Sequence, residues 1–155
     1  MYLKKKISIN NVKFGRNCEI VEPVNIYGAK LGNKVFVGPF VEIQKNTSIG
    51  NNTRVQSHSF ICEKVKIGNN VIIWSGNHIG HGSVIGDHTY IASHLVLSGH
   101  CTIGERCFFG VNATVKDFTK IGNDCFIAMD ASITKDIPDG SVVLGVQGKT
   151  YKEDD

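Results

Sequence analysis

The stretch "IGDHTYIASHLVLSGHCTIG", residues 85–104, places a bulky aliphatic residue at every sixth position. These residues are Ile85, Ile91, Leu97 and Ile103. The spacing runs without a slip through eighteen consecutive positions between residues 31 and 133, and three further apolar residues extend it towards the N-terminus, with one residue missing after Ile26. A period of six that fills nearly the whole chain indicates a repeat architecture, in which each unit buries its apolar side against its neighbours.

The other positions of each hexad predict a short strand followed by a sharp corner. Glycine often follows the aliphatic residue and Asn or Asp often comes next, as in "IGNN" and "IGND", and these residues favour tight turns. The fifth position is usually small or β-branched. Its occupants include Thr47, Thr53, Ser59, Ser83, Thr89, Cys101, Cys107, Ala113, Cys125 and Ala131. Because two inward residues separated by one outward residue describe a strand, three hexads close one triangular coil.

This pattern resembles the hexapeptide repeat of left-handed parallel β-helices. The resemblance implies an all-β fold of about seven triangular coils. We expect a lead-in over residues 1–12, the β-helix over residues 13–148 and a C-terminal tail over residues 149–155. Prisms of this kind commonly associate as homotrimers, so the resemblance also implies that corner side chains face a neighbouring subunit.

Composition narrows the classes of function. The chain has 155 residues, 41% of them apolar, and a formal net charge of +3. Its basic residues are scattered and not interleaved with aromatic residues, which argues against a nucleic-acid surface. No apolar run is long enough to span a membrane, and the N-terminus lacks a signal-peptide core, so we expect a cytoplasmic protein. Five cysteines without a CxxC motif argue against a disulfide framework and a structural zinc site.

The six-residue period also separates inward from outward cysteines and histidines. Four cysteines fall on the inward fifth position, where they fill the core: Cys18, Cys101, Cys107 and Cys125. Cys62 occupies a corner and is the one candidate reactive thiol. All six histidines are predicted to lie outside the core. His58, His88, His94 and His100 occupy the fourth hexad position, His81 the third and His78 the sixth.

His81 is distinguished from the other histidines by its neighbours one coil away. A shift of three hexads places Glu63 directly before it and Gly99 directly after it in the same corner column. A carboxylate about one strand spacing away can orient an imidazole and keep it basic. Glycine leaves room for a ligand against the wall. This column therefore predicts a general base, His81, beside a binding groove.

The chain resembles the hexapeptide acyltransferases in more than its repeat. The segment "HGSVIGDHTYIASHLVLSGHCTIGERCFFGVNATV", residues 81–115, is similar to the nucleotide-amino-sugar and sialic-acid acetyltransferases. These carry a catalytic histidine in an "H-x-x-x-IG" context, followed by "SG-x-x-x-IG" and "C-F-hydrophobic-G-hydrophobic-N". The segment "VFVGPFVEIQKNTSIGNNTRVQSHSFICEKVKIGNNV", residues 35–71, is similar to N-acetyltransferases of dTDP- or UDP-linked 3-amino sugars.

The resemblance implies roles at the positions that match. His81 matches the catalytic base, and the backbone N–H of Gly99 matches the donor that stabilises the oxyanion. The matching contacts for acetyl-CoA are Gly99, Gly110, Val111, Ala128 and Met129, with Lys149 of the closing "GVQGK" segment as a partner for CoA phosphates. Candidate contacts for the sugar substrate are His78, Tyr90, His58 and Glu42.

Four departures from the family pattern bear on these roles, and the first is that the closing "GVQGK" segment lacks the proline of the family. Gly82 stands where many relatives have an acidic residue directly after the catalytic histidine, so we assign Glu63 as the partner of His81. Tyr90 stands where relatives have a second histidine. Met129 stands where a glycine is common.

The resulting hypothesis is an acetyl-CoA-dependent acetyltransferase that needs no metal and acts on an amino sugar, linked to dTDP or UDP, for surface polysaccharide synthesis. O-acetylation of a sugar is the first alternative. A non-catalytic binding or scaffold module and a zinc hydratase of the γ-carbonic anhydrase type are alternatives of other classes. The zinc alternative needs three convergent histidines, whereas one-hexad spacing sends His88, His94 and His100 to three different corners.

Overall fold

The structure, a computed structural model, describes residues 8–148 and consists of short parallel strands in three sheets. Sheet 1 contains β1 (Ile9–Asn10), β4 (Asn25–Tyr27), β7 (Glu42–Ile43), β10 (Phe60–Ile61), β13 (His78–Ile79), β16 (Val96–Leu97), β19 (Thr114–Val115) and β22 (Ser132–Ile133). Sheet 2 contains β2 (Lys13–Phe14), β5 (Lys30–Leu31), β8 (Ser48–Ile49), β11 (Lys66–Ile67), β14 (Val84–Ile85), β17 (Thr102–Ile103) and β20 (Lys120–Ile121). Sheet 3 contains β3 (Glu19–Ile20), β6 (Phe36–Val37), β9 (Arg54–Val55), β12 (Ile72–Ile73), β15 (Tyr90–Ile91), β18 (Phe108–Phe109), β21 (Phe126–Ile127) and β23 (Val142–Val143).

Each strand pairs with the strand three places along the chain, except that β21 pairs with β23, so every coil stacks on the next. Along the main part of the prism the pairing offset is three full hexads, as in Ile61 with Ile79. Where one hexad lacks a residue the offset is shorter by that residue, as in Phe14 with Leu31. The predicted all-β, left-handed parallel β-helix is confirmed. Seven coils are complete, and β22, β23 and an isolated bridge between Ile121 and Ile137 form an eighth.

The core is a single apolar column along the prism axis. Every residue at the periodic position from Leu31 to Ile133 is at most 4% exposed, and Phe109 is the largest fully buried side chain. The residue before each of these points outward and is half-buried or exposed. This alternation is the period of two that a strand imposes on its side chains.

Buried hydroxyl groups at the fifth hexad position tie neighbouring coils together. The Thr53 hydroxyl donates to the Gly68 carbonyl at 2.8 Å and accepts from the Val71 N–H at 3.1 Å. Cys101 and Cys107 are buried as predicted, and each thiol donates at 3.1 Å to the carbonyl of the next coil, at Lys116 and Gly122. These groups are small enough for the narrow coil and satisfy the backbone that they cover.

Each corner from residue 34 to residue 130 has a residue in the left-handed region at the fourth hexad position. From Lys34 to Asp130 the non-glycine residues there have φ between 54° and 63°, while Gly76 and Gly82 have φ of 71° and 67°. Asn, Asp and His are the non-glycine residues most enriched in this region, and the four fourth-position histidines follow that preference. His58, His88, His94 and His100 are all exposed there.

Residues 8–148 form no helix with the length and hydropathy that a bilayer crossing requires.

The adjacent phenylalanines of β18 test the assignment of inward and outward faces. Phe109 is fully buried, whereas Phe108 points outward and stacks between Tyr90 and Phe126. Phe109→Ala is expected to lower the free energy of unfolding by about 3–5 kcal/mol, because it leaves a cavity in a column that cannot collapse. Phe108→Ala is expected to cost about 1 kcal/mol, the value of surface aromatic contacts. Equal losses in chemical denaturation would contradict the assignment.

Candidate functional site

The predicted base, His81, lies on corner 1, the corner that joins a strand of sheet 1 to the following strand of sheet 2. Its side chain is exposed and its ring lies against Gly99 of the next coil. A Cβ at residue 99 would stand 2.9 Å from His81 Cε1 and 3.2 Å from both ring nitrogens. The space over Gly99, where we expected a ligand, therefore holds the His81 ring itself.

Glu63 stacks before His81 as predicted, but its carboxylate turns towards lysines. It lies 3.5 Å from Lys45 Nζ and 4.0 Å from Lys64 Nζ. The backbone bond to Glu63 at this corner comes from the next residue, as the Gly82 N–H donates to the Glu63 carbonyl at 3.0 Å. Within residues 8–148 no side-chain hydrogen bond reaches the His81 imidazole. The Glu63 carboxylate thus does not orient the His81 ring in this conformation.

The Gly99 N–H, the predicted oxyanion donor, already has an acceptor. It donates to Asp117 Oδ1 at 2.9 Å. The same bond, from the third hexad position to an Asn or Asp one coil later, recurs along corner 2. The acceptors there are Asn51, Asn69, Asp87 and Asn123. The Gly99 N–H therefore belongs to an architectural ladder unless Asp117 turns away.

Sequence reasoning missed His100 as a neighbour of His81. The two rings meet edge to face, with centroids 4.7 Å apart and an interplanar angle of 83°. His100 in turn stacks on Phe118, at 5.1 Å and 9°. The signal was available in Gly82, which lies one coil before His100 and has no side chain to keep the imidazole away.

The outer face of sheet 1 next to His81 combines an aromatic stack with a thiol. Phe60 and His78 stack at 5.6 Å with an interplanar angle of 5°. Cys62 Sγ lies 4.0 Å from His78 Nε2. Burial raises the pKa of the Cys62 thiol, an effect reinforced by the charges of Glu42 and Glu63 and opposed by the His81 backbone N–H. His78, a predicted substrate contact, is thus near His81.

Glu42 lies on the same face, one strand beyond Phe60, and is held by neutral donors. Asn25 Nδ2 donates to Glu42 Oε2 at 3.1 Å, and Gln44 Nε2 donates to Glu42 Oε1 at 2.9 Å. Tyr27 is a third partner, and its pKa is raised by burial and by the charges of Glu42 and Glu63. A carboxylate fixed in this way suits the recognition of hydroxyl or amine donors.

Four of the predicted acetyl-CoA contacts lie on corner 3, which joins sheet 3 to sheet 1, whereas Gly99 lies on corner 1 against the His81 ring. Ala128 and Met129 line a pocket of about 350 Å³ with residues 144–147, and Met129 is 62% exposed. Gly110 and Val111 form the same corner one coil earlier. A Cβ on Gly110 would stand 2.8 Å from the Ala128 carbonyl carbon, so glycine lets the two coils approach. Lys149 lies outside the described residues.

Two predicted substrate residues lie away from His81 within one chain. Tyr90 is on sheet 3, stacked on Phe108 at 5.3 Å. His58 is on corner 3, stacked on Phe40 at 4.8 Å. The structure therefore brings His81, Glu63, Gly99, His78 and Glu42 together and leaves the other described candidates on other faces.

His81 and the predicted acetyl-CoA contacts on corner 3 are separated by one side of the triangle. A side spans one hexad, so the two corners are roughly 15–20 Å apart. Acyl transfer needs the reacting atoms at about 3–3.5 Å. One prism alone therefore does not assemble both halves of the predicted site.

The comparisons with known proteins agree with this architecture. The bacterial transferase hexapeptide (six repeats) family matches residues 28–63, 64–99 and 100–135. The chain belongs to this family. Membership confirms the resemblance to hexapeptide acyltransferases and the expected class of enzyme.

Solved structures share the fold at low sequence identity. The acetyltransferase domain of PglB from Neisseria gonorrhoeae FA1090 is 24% identical with a TM-score of 0.61, over 80% of this chain and 58% of that domain's chain. A UDP-N-acetylglucosamine acyltransferase from Campylobacter jejuni is 21% identical with a TM-score of 0.53, over 81% and 68%. Another UDP-N-acetylglucosamine acyltransferase is 20% identical with a TM-score of 0.62, over 91% and 70%. No curated protein matches the chain in sequence.

The histidines one hexad apart diverge as predicted. His100 is on corner 1, His88 on corner 2 and His94 on corner 3, each at the left-handed position. Among the residues that the structure describes, no three His, Cys, Asp or Glu side chains converge as a metal site would require.

Cys62 provides a test of the site's electrostatics. A raised pKa means less thiolate at pH 8, and the thiolate is the nucleophile, so Cys62 is expected to react with iodoacetamide at least about threefold more slowly than a free cysteine. The rate is expected to keep rising with pH beyond the range where free cysteine levels off. Peptide mass mapping, with Cys62→Ser as the blank, identifies the site. Alkylation faster than free cysteine would contradict the assigned environment.

Proposed function

We propose that the chain transfers an acetyl group from acetyl-CoA to the amine of a nucleotide-linked amino sugar, with His81 as general base. The observation that carries the proposal is an exposed imidazole on corner 1, packed against Gly99 and beside the polar face of sheet 1, in a hexapeptide transferase. The similar solved structures are named as acetyltransferase or UDP-N-acetylglucosamine acyltransferase, which supports both the acyl group and the class of acceptor.

The chemistry that His81 would perform is a single proton relay. As the sugar nitrogen attacks the thioester carbonyl, a C–N bond forms and the C–S bond breaks. His81 takes the proton that the nitrogen loses and delivers it to the departing sulfur, so the products are an amide and free CoA thiol. An imidazole is suited to this exchange near neutral pH because it binds and releases protons there.

The acceptor would lie along the outer face of sheet 1. A sugar ring against the Phe60–His78 stack would place a substituent near His81, one strand and one corner away. Glu42, two strand spacings from His78, would accept hydrogen bonds from sugar or ribose hydroxyls. An amine acceptor fits best because His81 lacks a carboxylate partner, whereas a hydroxyl asks more of the base.

The donor would lie along corner 3 of a neighbouring subunit. The exposed Val111 and Met129, with the pocket that Ala128 lines, would receive the pantetheine arm. Because corners 1 and 3 of one chain are too far apart, a homotrimer in which corner 1 of one copy faces corner 3 of the next would complete three equivalent sites. Lys149 stays a proposed partner for CoA phosphates.

The stabilisation of the oxyanion has two forms that experiment distinguishes. If the Gly99 N–H is the donor, Asp117 must first turn away from it, and Asp117→Ala would raise kcat. If the Gly99 N–H is only architectural, Asp117→Ala would lower stability without such a gain.

His81→Ala tests the base. It is expected to lower kcat for an amino-sugar acceptor by about 10²–10⁴-fold, with the Kd for CoA unchanged, because His81 touches the acceptor and not the pantetheine arm. Calorimetry with CoA and a thiol-release assay over dTDP- and UDP-linked amino sugars, with hydroxyl analogues, measure both quantities. His88→Ala, an exposed histidine on corner 2, is the matched control. Undiminished turnover by His81→Ala would remove His81 as base, and faster release on the hydroxyl analogues would favour O-acetylation.

Subunit mixing tests the shared site. His81→Ala and Met129→Trp, which fills the pocket on corner 3, are each expected to be inactive alone. Trimers formed by co-expression in equal amounts are expected to recover about one quarter of wild-type activity, because that fraction of interfaces pairs an intact His81 with an intact pocket. Failure to recover any activity in verified mixed trimers would show that both defects act within one chain.

A further inference from the structure

The His81 ring is placed by packing. It lies against Gly99 and meets the His100 ring edge to face, and within residues 8–148 its nitrogens accept and donate no side-chain hydrogen bond. A ring without such a bond turns freely about χ2 unless a neighbour blocks it. The neighbour that can block rotation of the His81 ring is His100.

We propose that His100 is a positioning residue that fixes the orientation of the His81 imidazole. The proposal rests on the proposed function for the role of His81, but its geometry is independent of that role. It assigns to a corner residue a task beyond making the turn.

The two rings can pack together because residues 82 and 99 are glycines. The His81 ring leans onto Gly99 of the next coil, and the His100 ring leans back onto Gly82 of the preceding coil, where a Cβ would stand 2.7 Å from His100 Nδ1. Any side chain at residue 82 or 99 would push one ring out of place. The two glycines therefore make the edge-to-face contact sterically accessible.

The outer side of His100 is supported as well. Its ring is stacked on that of Phe118, with centroids 5.1 Å apart and an interplanar angle of 9°. The backbone N–H of His100 donates to the His81 carbonyl at 2.8 Å. The Phe118 N–H donates to the Gly99 carbonyl at 3.0 Å. Backbone bonds thus hold the three coils at a fixed spacing, and the stacked rings transmit that spacing to His81.

The chain supplies a matched control for His100. His94 occupies the same hexad position at φ 63°. Its ring covers Gly76 as the His100 ring covers Gly82, and a Cβ at residue 76 would stand 2.6 Å from His94 Cε1. His94 lies on corner 3 instead of corner 1. It reproduces the glycine–histidine packing without touching His81.

The residues at the other fourth hexad positions show which replacements of His100 are compatible with the left-handed turn. Asn occupies the fourth hexad position at Asn46, Asn52, Asn70 and Asn112, and Phe occupies it at Phe40 and Phe118, all at φ between 54° and 62°. His100→Asn therefore removes the ring while keeping the corner. His100→Phe keeps a ring of similar shape and removes the nitrogens.

The experiment measures kcat and KM of His100→Asn, His100→Phe and His94→Asn, with the melting temperature of each. His100→Asn is expected to lower kcat by about 10–100-fold, the cost of a misplaced catalytic group, with the KM for acetyl-CoA unchanged. His100→Phe is expected to stay within about threefold of wild type, because it conserves the ring's shape. His94→Asn is expected to match wild type.

A second measurement does not depend on turnover. The NMR resonance of the His81 Cε1–H senses the ring currents of its neighbour, so it is expected to move in His100→Asn and to stay in place in His94→Asn. An unmoved resonance, or wild-type kcat in His100→Asn, would overturn the positioning role. Low kcat in both His100 variants would overturn positioning by packing, since it would mean that the nitrogens act. If the wild type transfers no acyl group, the proposed function fails, while the resonance still shows whether the His81 and His100 rings meet as the structure places them.

Discussion

The left-handed residue at the fourth position of each hexad from Lys34 to Asp130 is the constraint on which the rest of the structure depends. It turns the chain sharply after a short strand, and its N–H closes a bond onto the coil before, as from His100 to the His81 carbonyl. A non-glycine residue there carries a conformational cost. Stacking along the prism offsets this cost because each corner is bonded to the corners beside it. Once all corners are alike, the offset of three hexads between coils follows, and with it every column of side chains.

This constraint explains why histidine frequency alone is a poor guide to chemistry here. Four of the six histidines occupy the left-handed position, which Asn, Asp and His adopt more readily than other non-glycine residues. His81 and His78 do not, so the turn does not account for them. His100 shows that the two explanations are compatible, because its backbone makes the corner while its ring meets that of His81.

The fold could be predicted almost completely from the sequence, and the site only in part. The repeat determined the inward residues, the outward histidines and the neighbours in the His81 column, because the constant offset between coils converts sequence distance into position. It did not determine rotamers. Glu63 turned to Lys45, Asp117 capped the Gly99 N–H, and the His81 ring filled the space reserved for a ligand. Successive residues in a column are about 4.8 Å apart. A side chain that reaches this far can turn to the residue before it, to the residue after it or to the side.

A prism of identical corners also limits how such a protein can build an active site. Strands of two or three residues and corners tied to both neighbours leave little that can close over a substrate within residues 8–148. Water must still be excluded and the reactants held in line for acyl transfer to be efficient. Under the proposed function, the rigid walls would supply that only by facing another wall, so precision at His81 would come from packing within the corner and enclosure from assembly. The glycines at residues 82 and 99 would serve the first need, and the exposed Val111 and Met129 of corner 3 would serve the second.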